Sequence, residues 1–161
     1  TLFRSLGAAK VMDVVLARDL SLVEACEEHL SRARNTEEKR PVLASACPGW
    51  VCYAEKTQHP ALPYMSAVKS PQQIAGTLVK GHVAAQLGVS AAQVYHICLM
   101  PCFDKKLEAS RDDFLEEVTG SREVDLVLTS AEVVELLEKR GLDFLSLPPS
   151  GLDNLWGEHV E

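Results

Sequence analysis

Two cysteines lie where the sequence changes from a buried strand to a helix. Cys47 follows the apolar segment Pro41 to Ala46 and precedes Pro48, a residue suited to the first helical position. Cys102 follows the apolar segment Gln93 to Leu99 and precedes an amphipathic Lys/Glu stretch. Open α/β sheets bind ligands beyond the carboxyl ends of their strands, and helix N-termini there favour thiolate. We therefore expect both sulfur atoms at one sheet edge, facing a shared metal or iron–sulfur site.

The other three cysteines are predicted to be mainly structural. Cys26 lies on an apolar helix stripe and Cys98 inside a strand, so both are expected in the core. Cys52 lies five residues beyond Cys47 and would reach the site only if the helix unwound. A four-thiolate zinc site built from Cys47, Cys52, Cys98 and Cys102 is an alternative, although Cys98 should point into the sheet.

The elements that must position these cysteines alternate between strand and helix. Short runs rich in Val, Ile or Leu predict strands at Lys10 to Val15, Pro41 to Ala46, Gln93 to Leu99 and Glu123 to Leu128. Helical patterns lie between these runs. The alternation predicts an α/β fold with a four-stranded, mostly parallel sheet and helices on both of its faces.

Helix boundaries are marked by capping residues. A hydroxyl followed three residues later by Glu or Gln predicts helix starts at Ser21, Ser70 and Thr129. Glycines after apolar patterns predict C-terminal caps at Gly7, Gly88 and Gly141. One apolar stripe is expected to pack on the sheet, and its members are Leu22, Val23, Cys26, Leu30 and Ala33. The stretch from Thr57 to Lys69 is predicted to be a loop near the carboxyl edge.

Composition describes an ordinary globular domain and excludes two classes of partner. The 161 residues are 47% hydrophobic and 24% charged, which is enough for one domain with a core. The net charge of −7 argues against sequence-independent binding to nucleic acid. No apolar run approaches the roughly 20 residues that cross a bilayer. Five cysteines with no disulfide framework favour a reducing cytosolic or nuclear compartment.

The two cysteine segments together resemble the FeFe-hydrogenase-like superfamily. Its T-S-C-C-P-x-W motif is matched at Ser45, Cys47, Pro48 and Trp50. Its M-P-C-x-x-K-x-x-E motif is matched in full by Met100, Pro101, Cys102, Lys105 and Glu108. The chain is most similar to the eukaryotic branch without hydrogenase activity. That branch contains the nuclear prelamin A recognition factor and its relative in cytosolic iron–sulfur protein assembly.

The resemblance implies a 4Fe–4S cluster held by four cysteines, with Cys47 and Cys102 as the two metal ligands in this chain. The other two ligands, a C-x-x-x-C pair in the superfamily, are expected outside it. Lys105 and Glu108 are expected beside the cluster, where charges and hydrogen bonds tune its stability and potential.

The resemblance also implies a division of the chain. Residues 1–142 would form one lobe of a two-lobed hydrogenase-like fold, with an exposed apolar face where the second lobe docks. Residues 143–161, which contain Pro148, Pro149 and Gly151, would be a linker or tail leading to that missing lobe.

The resemblance further implies a role without catalysis. Where the hydrogenases have a cysteine that relays protons, this chain has Ala46, whose methyl group cannot transfer one. We therefore expect a cytoplasmic scaffold or adaptor, with the nucleus as an alternative location, that delivers 4Fe–4S clusters. Its partners would be cluster-assembly proteins and apoprotein clients. The alternatives are an interaction protein that binds a prenylated lamin precursor, a degenerate hydrogenase, and a thiol enzyme with Cys47 as its nucleophile.

Overall fold

The computed structural model describes residues 1–35 and 41–154. The α-helices in these residues are α1 (Leu2–Ser5), α2 (Val15–Arg34), α3 (Pro48–Thr57), α4 (Pro71–Leu78), α5 (Ala84–Gln86), α6 (Lys105–Ala109) and α7 (Ser130–Arg140). The strands are β1 (Ile97–Met100) and β2 (Leu126–Thr129). A π-helical segment, Val79–Val83, joins α4 to α5, and short 3-10 turns occupy His59–Tyr64, Ala91–Gln93, Asp112–Phe114 and Phe144–Ser146.

The two strands form a parallel pair around which the core is built. Cys98 lies opposite Val127 in the register. Both side chains are buried and form one cluster with Ala109 of α6 and Val124, against which Met100 packs. The helix α6 packs on β2. The segment that carries Cys102 connects the carboxyl end of β1 to α6. The α/β class predicted from the sequence is confirmed.

The predicted four-stranded sheet is wrong, since two of its strands do not form in the described residues. Lys10 to Val15 is irregular until α2 begins, and the backbone N–H and C=O of Val11 pair with Asp153 instead of with a strand. Pro41 to Ala46 contributes only an isolated parallel bridge between Leu43 and Met65. Apolar runs indicate burial, but a strand also needs a neighbouring backbone to pair with.

Two of the three predicted capping boxes mark true helix starts. Thr129 and Glu132 exchange both hydrogen bonds of the box at the start of α7. Ser70 caps α4 by accepting a hydrogen bond from the Gln73 N–H. The start predicted at Ser21 is wrong, because α2 begins at Val15 and the Ser21 hydroxyl donates to the Arg18 carbonyl inside the helix. The three predicted glycine caps all have positive φ, and Gly141 ends α7 in the left-handed conformation.

The apolar stripe of α2 is exposed, contrary to the prediction that it packs on the sheet. Leu22 and Val23 are 65% and 56% exposed, and the Cys26 thiol is exposed as well. The helix instead packs on α4 and buries Ala17. The core assignment of Cys26 is therefore wrong, because amphipathicity shows which face is apolar but not whether this chain supplies a partner for it.

The strand β1 also presents apolar side chains to solvent. Ile97 and Leu99 are each about half exposed, whereas Cys98 between them is buried. Parallel sheets are normally covered on both faces. The described residues cover only one face of this sheet completely.

Among the helices of the described residues, none has the length and apolar character that a membrane span requires.

The described part of the predicted tail lies against the N-terminal segment. The Asp153 carboxylate accepts hydrogen bonds from the Val11 N–H and from Arg4, each at 2.7 Å. Hydrogen bonds from Val11 and Arg4, opposed in part by burial, hold the pKa of Asp153 below its usual range. The prediction that residues 143–161 are a linker or tail stays a prediction, and residues 155–161 lie outside the described residues.

Candidate functional site

Cys47 is the N-terminal cap of α3. Its backbone is extended, its N–H donates to the Ser45 hydroxyl at 3.1 Å, and Pro48 occupies the first helical position. Proline fits there because its φ is already helical and its missing N–H would have had no intrahelical partner. The thiol is exposed at the open end of the helix.

Cys102 lies in the short connection between β1 and α6. Pro101 separates Cys102 from the end of the strand. The Cys102 carbonyl accepts a hydrogen bond from the Lys105 N–H at 3.2 Å. Its thiol is exposed. Each predicted ligand therefore follows an extended segment and precedes a helix, as the sequence indicates.

The segments that carry the two cysteines are in direct contact. The Lys105 ammonium donates to the carbonyl of Ala46, the residue before Cys47, at 2.7 Å. The carboxylate of Asp104 reaches the first turn of α3. A Cβ on Gly49 would lie 2.9 Å from Asp104 Oδ2 and 3.7 Å from Cys47 Sγ. Gly49, at the variable position of the motif, thus lies close to the Asp104 carboxylate, and a Cβ there would require that side chain to shift.

Lys105 and Glu108 form a largely buried ion pair behind this edge. The Lys105 Nζ–Glu108 Oε2 distance is 2.9 Å, and the two side chains are 12% and 10% exposed. The same Glu108 oxygen accepts a hydrogen bond from Gln72 Nε2 at 3.2 Å. Gln72 also donates to the Lys105 carbonyl at 3.1 Å. The two charged residues predicted beside the site thus contact each other and the segment of Cys47.

Gln72 is a residue of this network that sequence reasoning missed as a site residue. It is 1% exposed, in the first turn of α4. The helical periodicity of the sequence could have predicted that Gln72 is buried. Gln72, Gly76, Val79 and Val83 follow the i, i+4, i+7 pattern of a buried helix face. A glutamine on such a face requires hydrogen-bond partners, and Lys105 and Glu108 supply them.

Glu28 of α2 anchors the approach to α4 and was also missed. Its carboxylate accepts hydrogen bonds from the Ser66 hydroxyl, the Ala67 N–H and Arg32. Burial opposes ionisation, yet these hydrogen bonds hold the pKa of Glu28 below its usual value. The carboxylate thereby ties the end of the predicted 57–69 loop to α2.

A cavity of about 230 Å³ lies beside the site, lined in part by Ser45, Pro48, Glu108 and Arg111. Arg111 makes two hydrogen bonds to Glu55 and one to Asp113. Those hydrogen bonds, from Glu55 first, raise the pKa of Arg111, and the same contact with Arg111 lowers the pKa of Glu55. The arginine charge in the cavity wall is therefore neutralised by these carboxylates and clamps α3 to the Asp112–Phe114 turn.

Cys26, Cys52 and Cys98 form no metal-ligand cluster with the two predicted ligands in the described residues. Cys98 is in the core as predicted, and burial, followed by the charge of Glu108, raises the pKa of its thiol to about 12. Cys52 is half-buried along α3. Within residues 1–35 and 41–154, no three His, Cys, Asp or Glu side chains cluster as metal ligands. The four-thiolate zinc alternative is therefore wrong.

The donor chemistry at this edge suits half of an iron–sulfur site. Cysteine thiolates are the usual ligands of such clusters, which require four of them. In the described part of the chain the edge offers two exposed thiols, with a compensated lysine charge behind them. These residues fit two ligand positions, and a complete cluster needs further ligands from elsewhere.

Comparison with known proteins identifies relatives of this chain. The chain is 48% identical over 163 residues to the cytosolic Fe-S cluster assembly factor narfl of Xenopus tropicalis, covering 99% of this chain and 34% of that protein. It is also 48% identical to cytosolic iron-sulfur assembly component 3 of Mus musculus, covering 95% of this chain and 33% of that protein. This chain therefore spans about a third of the length of these relatives.

A solved structure and a family model extend the likeness to the hydrogenases. The apo [FeFe]-hydrogenase HydA1 from Chlamydomonas reinhardtii, variant C377H, superposes with a TM-score of 0.91 at 32% identity, covering 98% of this chain and 39% of that one. The model that describes the C-terminal domain of the iron-only hydrogenase large subunit matches residues 1–161. The chain therefore belongs to this iron-only hydrogenase family.

Proposed function

We propose that this chain supplies half of a 4Fe–4S site in a cytosolic iron–sulfur cluster assembly factor, where it acts as a non-catalytic scaffold or adaptor. Cys47 and Cys102 are the two ligands, and two further cysteines come from outside the chain. The observation that carries the proposal is the 2.7 Å contact between Lys105 and the Ala46 carbonyl, which joins the two cysteine segments. The similarity to relatives named as cytosolic assembly factors supports the same role.

The residues around the two thiols have separable tasks in this proposal. A bound 4Fe–4S cluster would supply one-electron chemistry, tuned by nearby charges and hydrogen bonds. Lys105 holds the Cys47 segment by its backbone, and Glu108 neutralises the lysine charge. Both then act beside the cluster without ligating it.

We do not propose a catalytic role, because Ala46 stands where the resemblance to the hydrogenases implies a proton-relaying cysteine. Ala46 presents a methyl group and uses its carbonyl to accept the Lys105 hydrogen bond. The Lys105 ammonium is itself engaged with Glu108. The hydrogen chemistry that the resemblance implies would require a side chain at position 46 that can both gain and release a proton, which supports a scaffold in place of a hydrogenase.

The partners follow from the same proposal. Assembly proteins and apoprotein clients are the expected partners, and a second lobe of the same polypeptide would cover the exposed stripe of α2 and the outer side of β1. A prenylated lamin precursor would need an apolar groove. The open groove between α2 and α4 is lined by Val68, Ile74 and Leu78 as well as by Glu24, Glu27 and Glu28, and the lamin precursor stays an alternative partner.

Anaerobic reconstitution with iron and sulfide tests the proposal. The full polypeptide that carries these residues is compared with its Cys47→Ser and Cys102→Ser variants by iron content, absorption and EPR spectroscopy. Each variant is expected to lose most of the cluster signal, whereas Cys26→Ser on the exposed face of α2 is expected to retain it. Unchanged iron content in both site variants would show that the assignment is wrong.

A further inference from the structure

A buried glutamine side chain links α4 to the residues beside the candidate site. Gln72 Nε2 has two partners, the Lys105 carbonyl at 3.1 Å and Glu108 Oε2 at 3.2 Å. Both partners are acceptors, which fixes the orientation of the amide. Gln72 Oε1 is buried and has no hydrogen-bond partner among the described residues. The side chain therefore acts here as a donor to two atoms of α6.

The hydrogen bonds from Gln72 continue to the segment of Cys47. Glu108 accepts from Gln72 and from the Lys105 ammonium with the same oxygen, and that ammonium donates to the Ala46 carbonyl at 2.7 Å. Three parts of the chain meet in this way: the first turn of α4, the first turn of α6, and the residue before Cys47. No backbone pairing between the Cys47 and Cys102 segments is observed in the described residues, so polar side chains hold them together.

The energetics give Gln72 a specific task. Removing two charges from water costs several kcal/mol per ion in a protein, and the cost is recovered only with good geometry and additional hydrogen bonds. Gln72 donates one such bond to Glu108 and a second to the backbone of Lys105. With these bonds the carboxylate has a defined position, and the long lysine side chain is held in one of its many rotamers.

We propose that Gln72 is a positioning residue that acts through Glu108 and Lys105 to set the separation of Cys47 and Cys102 before a cluster binds. The inference rests on the proposed function, because it assumes that these two thiols act as a pair. Leucine fills a similar volume but removes the donor from the Lys105 carbonyl and from Glu108, so some stability is lost whichever role Gln72 has, and only the pairing of the thiols separates the two roles. A positioning role predicts that leucine preserves the fold but weakens the pairing of the thiols.

A trivalent aryl arsenoxide tests thiol pairing without iron or sulfide, because arsenic binds two thiolates that lie close together. The full chain is prepared as a Cys26→Ser, Cys52→Ser background, which leaves Cys47 and Cys102 exposed and Cys98 buried. The background is expected to bind one arsenoxide per chain. Gln72→Leu and Lys105→Met are expected to weaken binding by about tenfold, the usual scale for losing a residue that orients a ligand.

Matched variants separate positioning from general destabilisation. Lys105→Arg keeps a donor for the Ala46 carbonyl and is expected to restore most of the affinity lost in Lys105→Met. Gln86→Leu on α5 and Lys139→Met on α7 change the same residue types at exposed positions and are expected to leave binding unchanged. Far-UV circular dichroism reports whether each variant keeps its helices.

Each outcome decides a different claim. Failure of the background to bind arsenoxide would show that the thiols are not paired, which contradicts the proposed function itself. Tight binding by the background and equal binding by a folded Gln72→Leu variant would overturn only the role of Gln72. If Gln72→Leu loses its helices, the Lys105→Met variant provides the test instead. Unchanged arsenoxide affinity in Lys105→Met would show that the network does not position the thiols.

Discussion

Two buried lysine–carboxylate networks lie at opposite ends of the parallel strands. Lys80, 1% exposed, pairs with Asp125 at 2.7 Å beside the residues that precede β1 and β2. Lys105 pairs with Glu108 beyond the carboxyl end of β1. Both networks tie separate segments together with polar side chains. They differ in what surrounds them, because the first is enclosed within the fold and the second adjoins two exposed thiols.

The Lys80 network is fully satisfied. Its ammonium donates to three acceptors, the carbonyls of Ala91 and Val94 and the Asp125 carboxylate, and Asp125 also accepts the His96 N–H. Lys80 lies in the π-helical segment, an irregularity of winding that is rare in α-helices. This network stabilises the start of the sheet, whereas the Lys105 network positions the candidate site. Similar side-chain chemistry thus serves stability at one end and geometry at the other.

The largest expected effect is the loss of stability in Lys80→Met. Asp125 and two carbonyls would lose a buried donor, and removing one partner of a buried ion pair costs about 3 to 5 kcal/mol. Urea unfolding followed by circular dichroism measures the change, with the exposed Lys139→Met as the control. A midpoint equal to that of the wild type would show that the amino end of the sheet does not depend on this network.

The corresponding change at the other end, Lys105→Met, is expected to cost less stability. Glu108 would keep its hydrogen bond from Gln72, and one carbonyl would lose its donor instead of two, so a loss of about 1 to 3 kcal/mol is expected. The same urea titration measures it. A loss as large as that of Lys80→Met would erase the distinction between a stabilising network and a positioning one.

Thr129→Ala tests a residue at the carboxyl end of β2 that is not expected to position either thiol. The threonine caps α7 and exchanges two hydrogen bonds with Glu132, and loss of such a cap costs about 1 kcal/mol. We expect a lower urea midpoint and unchanged arsenoxide binding in the Cys26→Ser, Cys52→Ser background. Weakened binding would mean that stability of the carboxyl edge in general, and not the Lys105 network, controls the thiols.

The smallest expected effect is a pH dependence from His96. Burial first, with the charge of Lys80 contributing, lowers the pKa of His96 below its usual value, while the Glu123 carbonyl and nearby carboxylates oppose the shift. Between the unfolded and folded pKa values the unfolded chain binds a proton that the native chain does not. The His96 contribution to stability is therefore present above the unfolded pKa and lost as the pH falls below it.

Urea midpoints at about pH 7.5 and about pH 5.5 measure this difference, with His96→Gln as the variant that removes it. The wild type should lose more stability on acidification than the variant does. An equal loss of stability in both proteins would assign the acid sensitivity to other groups. The Lys80 network would then have no measurable link to pH.

Part of this architecture was accessible from the sequence. The Cys47–Pro48 cap, the starts of α4 and α7, and the burial of Cys98 all depend on local chemistry within a few residues. The Ser21 start failed because a serine inside a helix can satisfy its hydroxyl with a preceding carbonyl, here that of Arg18. Local signals therefore identified caps well, except where the position lay inside a longer helix.

Other features depend on contacts far apart in the sequence. The segment Lys10 to Val15 has strand-like composition, yet Val11 pairs with Asp153 and forms no strand. The stripe through Leu22 is apolar, yet the described residues leave it exposed. Gln72 and Glu28 gain their roles only from partners more than 30 residues away.

The amino-acid sequence alone determined the two cysteine motifs, their order, and the change from extended backbone to helix at which each thiol lies. Those properties follow from residue type and near-neighbour spacing, which fix backbone conformation over short distances. Only the tertiary structure decided that Lys105 reaches the Ala46 carbonyl, that Gln72 holds Glu108, and that the α2 stripe faces solvent. Such contacts depend on how elements pack, because packing requires complementary surfaces that no single stretch of sequence contains.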